Sequence, residues 1–331
     1  MSDFGRCPKQ IKAPKKSKKR NEVMTIKKMA LMGVALCATV GFSDGISSKN
    51  VVGYQTTTAG DDSVMKLNQL NLMTPTFLGV SSETYRLGDI KLTGCASFGS
   101  TIQFLNAYGA TAKATADMIG DAAFAAYPDH EALFIYVTDA EGAEYDLPGG
   151  WYFQEDWDGD GAYNMNNVLL RKGQGFVLQS LDAGMSVCYS GAVDEGDEGE
   201  ISLPYNISEL NVMGNSTPVN ITLGDIVLAG CSSFGSTLQF LNAYGATAIA
   251  TADMIGEEAA AAFPDHEALF IFITAAEGAE YDLPGGWYFQ EDWDGDGAYN
   301  MNNVQIKSGQ AFVLQALDAG MTVQIPSAIQ E

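Results

Sequence analysis

Three aspartates at alternate positions of one short segment have the residue types and spacing of a metal-binding loop. Asp156, Asp158 and Asp160 precede Gly161, and Asn164 follows shortly afterwards. Side chains at alternate positions of a tight loop can converge on one hard cation, and calcium prefers oxygen ligands. The segment therefore predicts a calcium site that uses the three aspartates and Asn164. It recurs later in the chain, and its second copy predicts these ligands: Asp292, Asp294, Asp296 and Asn300.

The segment resembles the calcium loops of EF-hand and dockerin-type modules over roughly nine residues. The three aspartates match the first, third and fifth positions, the Ala162 carbonyl stands at the seventh, and Asn164 stands at the ninth. The twelfth position, where those loops carry an acidic residue, is Asn167. The resemblance implies calcium ligation by the loop, without the helices that flank an EF-hand. The alternative is a solvated acidic turn between two strands, because Asp and Gly are common turn residues.

Aromatic residues directly precede this loop and are candidates for ligand contact. Trp151, Tyr152, Phe153 and Trp157 lie within seven residues of one another. Strand alternation predicts that Trp151 and Phe153 face the core, which leaves Tyr152 pointing outwards. An exposed ring beside carboxylates and amides can stack on a sugar while the polar groups orient it. The candidate ligand-binding residues are Tyr152 and Trp157, with their counterparts Tyr288 and Trp293.

No catalytic residue is predicted. Glu155 and Asp160 could serve as the acid and base of a glycosidase, but carboxylates are abundant throughout the chain. The segment that begins Gly230-Cys-Ser-Ser approaches a nucleophile elbow, yet its second glycine is misplaced and Ala96 stands in place of Ser232 in the first copy.

The segments described so far belong to a long internal repeat. Residues 88–187 match residues 224–323 at a constant offset, and 140–168 and 276–304 are identical over 29 residues. The acidic, glycine-broken stretch 194–200 predicts an exposed linker. We therefore expect a first repeat over 44–193 and a second over 201–331. Identity between the repeats does not mark functional residues, because almost everything is retained.

Each repeat is predicted to be mainly β, as a β-sandwich or partly open barrel with one short helix. Short β-branched and aromatic runs such as 132–138 and 174–180 are bounded by Gly and Asp turns. Residues 143–147 are expected to resume the strand that residues 139–142 interrupt. Alanine-rich segments before Pro128 and Pro264 predict the helix, at 116–126 and 252–262, although the alternation of alanines near 112–116 also fits a strand.

The first 43 residues predict a leader for export. Lys27 and Lys28 precede an apolar run at 29–42, which is too short for an ordinary transmembrane helix. Translation that begins at Met24, or an extended basic region, would account for the lysines upstream. Cleavage after Ser43 would release a secreted protein, extracellular, periplasmic or on the outer surface, without membrane insertion after processing.

Charge separates this leader from the rest of the chain. Residues 1–43 carry ten Lys and Arg against two acids, whereas residues 44–331 carry eight against 39, a formal net charge of −31. A surface this negative repels phosphate backbones, so we expect no nucleic-acid partner. Solubility is the simplest role for such charge, and cation binding is the alternative.

Several short motifs resemble uncharacterised exported proteins of planctomycete and verrucomicrobial bacteria. They are the segments 48–54, 150–152 and 173–178, which occur in the same order. The resemblance implies export and β-structure, and it implies no activity.

We therefore expect a secreted or cell-surface, non-enzymatic binding or structural protein. It would be calcium-stabilised and bivalent for a glycan or surface ligand, a polysaccharide or a surface protein, because two copies strengthen weak binding to a repetitive partner. The first alternative is a purely structural envelope or matrix protein without a ligand. A glycan-active hydrolase is the second.

Overall fold

Short antiparallel strands dominate the fold, and they occur in the same order in both repeats. The predicted mainly β fold is confirmed. The structure is a computed structural model. It describes residues 52–60, 65–66, 69–79, 85–95, 99–106, 108–156, 163–195, 200–232, 235–242, 245–292 and 299–328. The unit Met1–Ser47 lies outside the described residues, and Ser48–Glu331 contains both repeats.

Each repeat contributes ten strands, three short α-helices and two 3-10 helices to the described part of the chain. The 3-10 helices are Leu87–Asp89 and Gln154–Asp156 in the first repeat, and Leu223–Asp225 and Gln290–Asp292 in the second. The elements of the first repeat are β1 Val52–Thr58, β2 Leu70–Met73, β3 Tyr85–Arg86, β4 Lys91–Thr93, β5 Thr101–Gln103, α1 Ala116–Ile119, α2 Asp121–Ala126, β6 Leu133–Val137, α3 Asp139–Tyr145, β7 Gly150–Phe153, β8 Leu169–Leu170, β9 Phe176–Gln179 and β10 Ser186–Ala192. Those of the second are β11 Glu200–Leu203, β12 Leu210–Gly214, β13 Ile221–Thr222, β14 Val227–Ala229, β15 Thr237–Gln239, α4 Ala252–Ile255, α5 Glu257–Ala262, β16 Leu269–Ile273, α6 Ala275–Glu280, β17 Gly286–Phe289, β18 Gln305–Ile306, β19 Ala311–Gln315 and β20 Thr322–Pro326.

The strands of each repeat form three antiparallel sheets. In the first repeat the five-stranded sheet has the order β2-β9-β5-β6-β7, the three-stranded sheet has the order β1-β10-β4, and β3 pairs with β8. The second repeat has the same arrangement, in the orders β12-β19-β15-β16-β17, β11-β20-β14 and β13-β18. Among the described residues no sheet closes into a barrel.

Alternation along the strands of the five-stranded sheet separates a core face from an outer face. Ile102, Phe134 and Leu178 are fully buried in the main core of the first repeat. Trp151 and Phe153 lie in the same core, as strand alternation predicted. The indole Nε1 of Trp151 donates a hydrogen bond to the Ile90 carbonyl at 3.0 Å, so the ring is buried without an unpaired donor.

The cores of the two repeats differ where the three-stranded and two-stranded sheets meet. Tyr85 and Tyr189 pack edge to face in the first repeat, with ring centroids 6.3 Å apart. Buried Ile221 and Ile325 occupy the equivalent positions of the second. Burial raises the pKa of both tyrosines above the ordinary value, because an ionised phenolate would lose its hydration there.

The predicted helix at 116–126 is two helices rather than one. Gly120 has φ 86°, and this left-handed conformation ends α1 and begins α2. Gly256 does the same between α4 and α5, with φ 88°. The expected single helix per repeat was therefore wrong, and the third helix adds to the difference.

The third helix of each repeat replaces the strand that was expected at 143–147. Thr138 caps α3: its Oγ1 accepts a hydrogen bond from the Glu141 backbone, and the Glu141 carboxylate accepts one from the Thr138 backbone. This reciprocal pair is a capping box, whose signature is a threonine followed three residues later by glutamate. Thr274 and Glu277 form the same box before α6.

The two repeats contact each other through reciprocal pairs. Met73 bridges Gln310, and the equivalent residues Met213 and Gln174 also bridge. The Thr74 backbone donates to the Gly309 carbonyl at 3.0 Å. The equivalent bond is present between the Gly214 backbone and the Gly173 carbonyl, at 3.1 Å. Such an exchange of partners is the signature of a two-fold relation between two copies of one unit.

The linker between the repeats is anchored at its first residue. Asp194 pairs with Lys172, and its carbonyl accepts a hydrogen bond from the Ser327 hydroxyl at 2.9 Å. Glu200, which was expected at the end of the linker, is the first residue of β11. Residues 196–199 lie outside the described residues.

Candidate functional site

The outer face of the five-stranded sheet of the second repeat carries a groove lined by glutamine, threonine and aliphatic side chains. In the second repeat a cavity of about 240 Å³ lies on this face. The residues that line it define the sheet groove of the second repeat: Leu210, Thr237, Gln239, Leu269, Gln290, Val313 and Gln315. The equivalent positions of the first repeat carry the same residue types and define its sheet groove: Leu70, Thr101, Gln103, Leu133, Gln154, Val177 and Gln179.

Strand register brings these residues together in the same way in both repeats. Gln103 lies opposite Val177 on one side and Leu133 on the other, and Thr101 lies opposite Gln179. In the second repeat the equivalent pairs are Gln239 with Val313 and Leu269, and Thr237 with Gln315. Residues directly opposite on one face are neighbours, so each sheet presents a patch of closely spaced amides between aliphatic side chains.

The groove of the first repeat extends towards the second repeat. A cavity of about 320 Å³ there includes Leu70, Gln103 and Val177 of the groove. It is also lined by the hairpin that carries Gly109–Thr111 of the first repeat, and by three residues of the equivalent hairpin in the second: Leu241, Asn242 and Gly245. The groove therefore ends where the two hairpins approach each other.

The central glutamine of each groove is oriented by a threonine. Thr111 Oγ1 donates to Gln103 Oε1 at 3.4 Å, and Thr247 Oγ1 donates to Gln239 Oε1 at 3.1 Å. With its carbonyl oxygen engaged, each amide retains its NH₂ group as a donor for a ligand.

A second glutamine of each groove supplies an unsatisfied acceptor. The Oε1 atoms of Gln154 and Gln290 are buried and have no hydrogen-bond partner in the protein. A buried polar atom without a partner costs free energy, and a ligand in the groove would reach this one only after the glutamine side chain changes its rotamer. The same unpaired atom occurs at the same position of both repeats.

The candidate ligand residue Tyr152 is not exposed, and that expectation was wrong. Its side chain does point away from the main core, but only 1% of it is exposed, as for Tyr288. It packs with Ile135, Val137 and Leu147, and its hydroxyl donates to the Pro148 carbonyl at 2.7 Å. The segment after α3 covers this half of the outer face, so neither tyrosine offers a stacking surface.

The predicted calcium loops lie mostly outside the described residues. Asp158 and Asp160, their counterparts Asp294 and Asp296, and the side chains of Asp156 and Asp292 are among the residues not described, as are Trp157 and Trp293. Among the described residues no group of three or more His, Cys, Asp or Glu is placed to hold a metal ion. The structure therefore does not test the metal prediction.

The two asparagines of the predicted calcium sites are described, and both are exposed. Asn164 Oδ1 accepts a hydrogen bond from the Asn166 backbone at 3.0 Å, and Asn300 Oδ1 accepts one from the Asn302 backbone at 3.1 Å. In the first repeat, Asn167 at the twelfth loop position accepts from the Arg86 guanidinium at 2.9 Å. Thr222 replaces Arg86 in the second repeat, so that copy has no guanidinium at this position.

Each histidine lies near a glutamate that precedes an aspartate loop. His130 Nδ1 is 3.8 Å from Glu155 Oε1, and His266 Nδ1 is 3.9 Å from Glu291 Oε2. Both pairs are substantially exposed, with side-chain exposures between 39% and 52%. Phe153 packs against the His130 ring, which gives the histidine a structural role at the rim of the core.

Comparison with known proteins adds no neighbour: no family model, curated protein or solved structure matches this chain. Over the described part of the chain, none of the helices has the length and apolar character needed to cross a membrane.

Sequence reasoning missed the sheet groove. Its signal was present in Thr101-Ile-Gln and Val177-Leu-Gln, where polar or β-branched residues alternate with buried ones. Alternation alone assigns these residues to an outer face. It does not show that the strands lie side by side, which is what gathers the amides into one groove.

Proposed function

We propose that this chain is an exported, non-enzymatic binding protein that presents one neutral, amide-lined groove on each repeat. The ligand class that fits best is a neutral glycan. The observation that carries the proposal is the pair of sheet grooves, which have the same seven residue types in the same register.

The lining of the groove matches the surface of a sugar. The central glutamine amides provide NH₂ donors, and each threonine hydroxyl can both donate and accept. These groups can pair with sugar hydroxyls, which also donate and accept. Leu70, Leu133 and Val177 supply apolar surface for the C–H groups of the sugar ring, and a few convergent polar groups on an apolar floor are typical of a ligand site.

Charge favours a neutral ligand over a charged one. The seven groove residues carry no charge, and the charged residue in the lining of the adjoining cavity is the acid Glu131, so no cationic side chain lies there to anchor an anionic group. The part of the chain after the leader has a formal net charge of −31, which repels polyanionic glycans. Uncharged polysaccharides face no such repulsion.

Binding can be tested by calorimetry with neutral cello-, xylo- and manno-oligosaccharides, and with an acidic uronic-acid oligomer for comparison. We expect weak binding of one neutral series and no heat from the acidic one. Replacing all four groove glutamines, Gln103, Gln179, Gln239 and Gln315, by alanine should abolish the binding of the neutral oligosaccharide. Gln305→Ala is the matched control, because Gln305 is an exposed glutamine on β18 outside the groove.

Absence of heat with every oligosaccharide would contradict the binding proposal. The alternative of a structural envelope or matrix protein without a ligand would then be preferred. Turnover of a chromogenic glycoside that disappears in the Glu155→Gln, Glu291→Gln double variant would instead support a hydrolase.

We also propose that the two aspartate loops bind calcium weakly and stabilise the protein. The support is the sequence: three alternate aspartates followed by a glycine in each copy. Because the Arg86 guanidinium contacts Asn167 in the first repeat only, the second loop should bind more tightly. Calcium should raise the melting temperature, and Asp294→Asn should reduce that rise more than Asp158→Asn; an unchanged melting temperature would remove calcium from the account.

A further inference from the structure

The reciprocal contacts between the repeats restrict how the two sheet grooves can share a ligand. The bridge between Met73 and Gln310 is repeated by the equivalent pair Met213 and Gln174. The hydrogen bond from Thr74 to Gly309 is repeated by the one from Gly214 to Gly173. Two copies that exchange partners in this way are related by a half-turn about an axis between them.

Close packing fixes this arrangement. A Cβ atom on Gly214 of the second repeat would lie 2.8 Å from the Thr74 methyl group of the first. A Cβ atom on Gly175 of the first repeat would lie 2.7 Å from a Val212 methyl group and 3.1 Å from the Ala311 Cβ of the second, and the Gly175 backbone donates to the Val212 carbonyl at 3.0 Å. Only glycine permits such approach, so the backbones meet directly and leave little room for the repeats to reorient.

The axis passes near the end of the first groove. Leu105 and Leu241 are equivalent residues, as are Gly109 and Gly245, and all four line the same cavity. Equivalent residues from both repeats lie close together only near the axis that relates them. The first groove therefore ends close to the axis.

A half-turn determines what a directional polymer can do at two such grooves. A straight chain that crossed the axis would run through the second groove in the opposite direction to the first, because the half-turn reverses any line perpendicular to the axis. A straight chain that did not cross the axis could occupy only one groove. Glycan chains have distinct reducing and non-reducing ends, so one straight chain cannot bind in both grooves with the same contacts.

We propose that the two sheet grooves hold two separate neutral glycan chains, so that the protein cross-links polysaccharide strands. The inference rests on the proposed function and adds the arrangement of the ligand. It differs from ordinary avidity along one strand, in which tandem modules bind successive segments of the same chain.

The stoichiometry of binding tests this directly on the intact protein. Short and long oligomers of the neutral series that binds are titrated separately, the long ones exceeding the length of the protein. The expected result is two chains bound per protein for both lengths, with similar affinity per chain. One long chain per protein, bound at least about tenfold more tightly than a short one, would show that a single chain spans both grooves and would overturn the proposal.

Variants with one intact groove provide the second arm. Gln103→Ala with Gln179→Ala disables the first groove, and Gln239→Ala with Gln315→Ala disables the second. Each double variant should bind one short oligomer per protein, yet fail to increase the light scattering of a soluble neutral polysaccharide, which the unaltered protein should increase. Scattering that persists in both variants would overturn the cross-linking proposal, although binding would stand. No binding by the unaltered protein would refute the proposed function itself.

Discussion

The outer face of each five-stranded sheet has two halves that differ in cover although their strands are continuous. On one half, Ile135, Val137 and Tyr152 are buried beneath Leu147. On the other half, Thr101 and Gln103 are only half-buried and line the open groove. The covered half contributes to stability, and the open half is the one on which we propose that a ligand binds. The two halves differ because a short segment, α3 and the residues after it, covers only part of the sheet face.

The largest effect should come from removing the ring at the centre of the covered half. Tyr152→Ala deletes a fully buried side chain and its hydrogen bond to Pro148, so we expect a loss of about 3 kcal/mol in the free energy of unfolding. Gln103→Ala on the open half should change it by less than about 0.5 kcal/mol. Chemical denaturation of both variants checks the difference. Equal losses would show that the two halves are not distinct.

Crowding the contact between α3 and the following segment should have the next largest effect. A Cβ atom on Gly142 would lie 2.3 Å from the Leu147 carbonyl oxygen. Gly142→Ala should therefore push the covering segment away and lower the free energy of unfolding by about 2 kcal/mol. Glu144→Ala, at an exposed position of the same helix, is the control and should be nearly neutral. A neutral Gly142→Ala would mean that the segment packs loosely.

Alkaline pH should destabilise the core of the first repeat more than the core of the second. Burial raises the pKa of Tyr85 and Tyr189 in the folded state, so the folded protein holds their protons at a pH where the unfolded chain releases them. Their contribution to the free energy of unfolding is fully present below pH ~10, the pKa of a tyrosine in the unfolded chain. It is lost as the pH rises above that value, by about 1.4 kcal/mol per pH unit for each tyrosine.

The second repeat has Ile221 and Ile325 at these positions and lacks this sensitivity. Hydrogen exchange at rising pH should show the first repeat opening before the second. Tyr189→Phe, which removes one of the two titrating groups, should weaken the pH dependence. An alkaline transition of equal midpoint in both repeats would argue against this assignment.

The smallest effect concerns the start of the helix that begins the cover. Thr138→Ala removes the oxygen that accepts from the Glu141 backbone, so we expect a loss of about 1 kcal/mol. Thr138→Ser keeps a hydroxyl oxygen at the same position and should restore most of it. If alanine and serine behave alike, the capping box does not stabilise α3.

The covering helix shows how far the sequence could be interpreted. Thr138 and Glu141 carry the capping-box signature, so α3 could have been predicted from the sequence. The glycine at 142 and the aromatic run before it favoured a break between two strands instead. Gly120 was likewise visible within the predicted helix at 116–126. The burial of Tyr152 could not be predicted from the sequence, because Leu147 covers this side chain only after α3 turns the chain back over the sheet.

The sequence by itself determined the repeat, the excess of acidic residues over 44–331, the mainly β character and the burial of Trp151 and Phe153. These follow from composition and from alternation along single strands, which are local properties. Tertiary structure alone decided that the groove glutamines gather on one sheet face, that half of the outer face is covered, and that the repeats exchange partners across an axis. Those features depend on contacts between residues distant in sequence, whose register no single strand specifies.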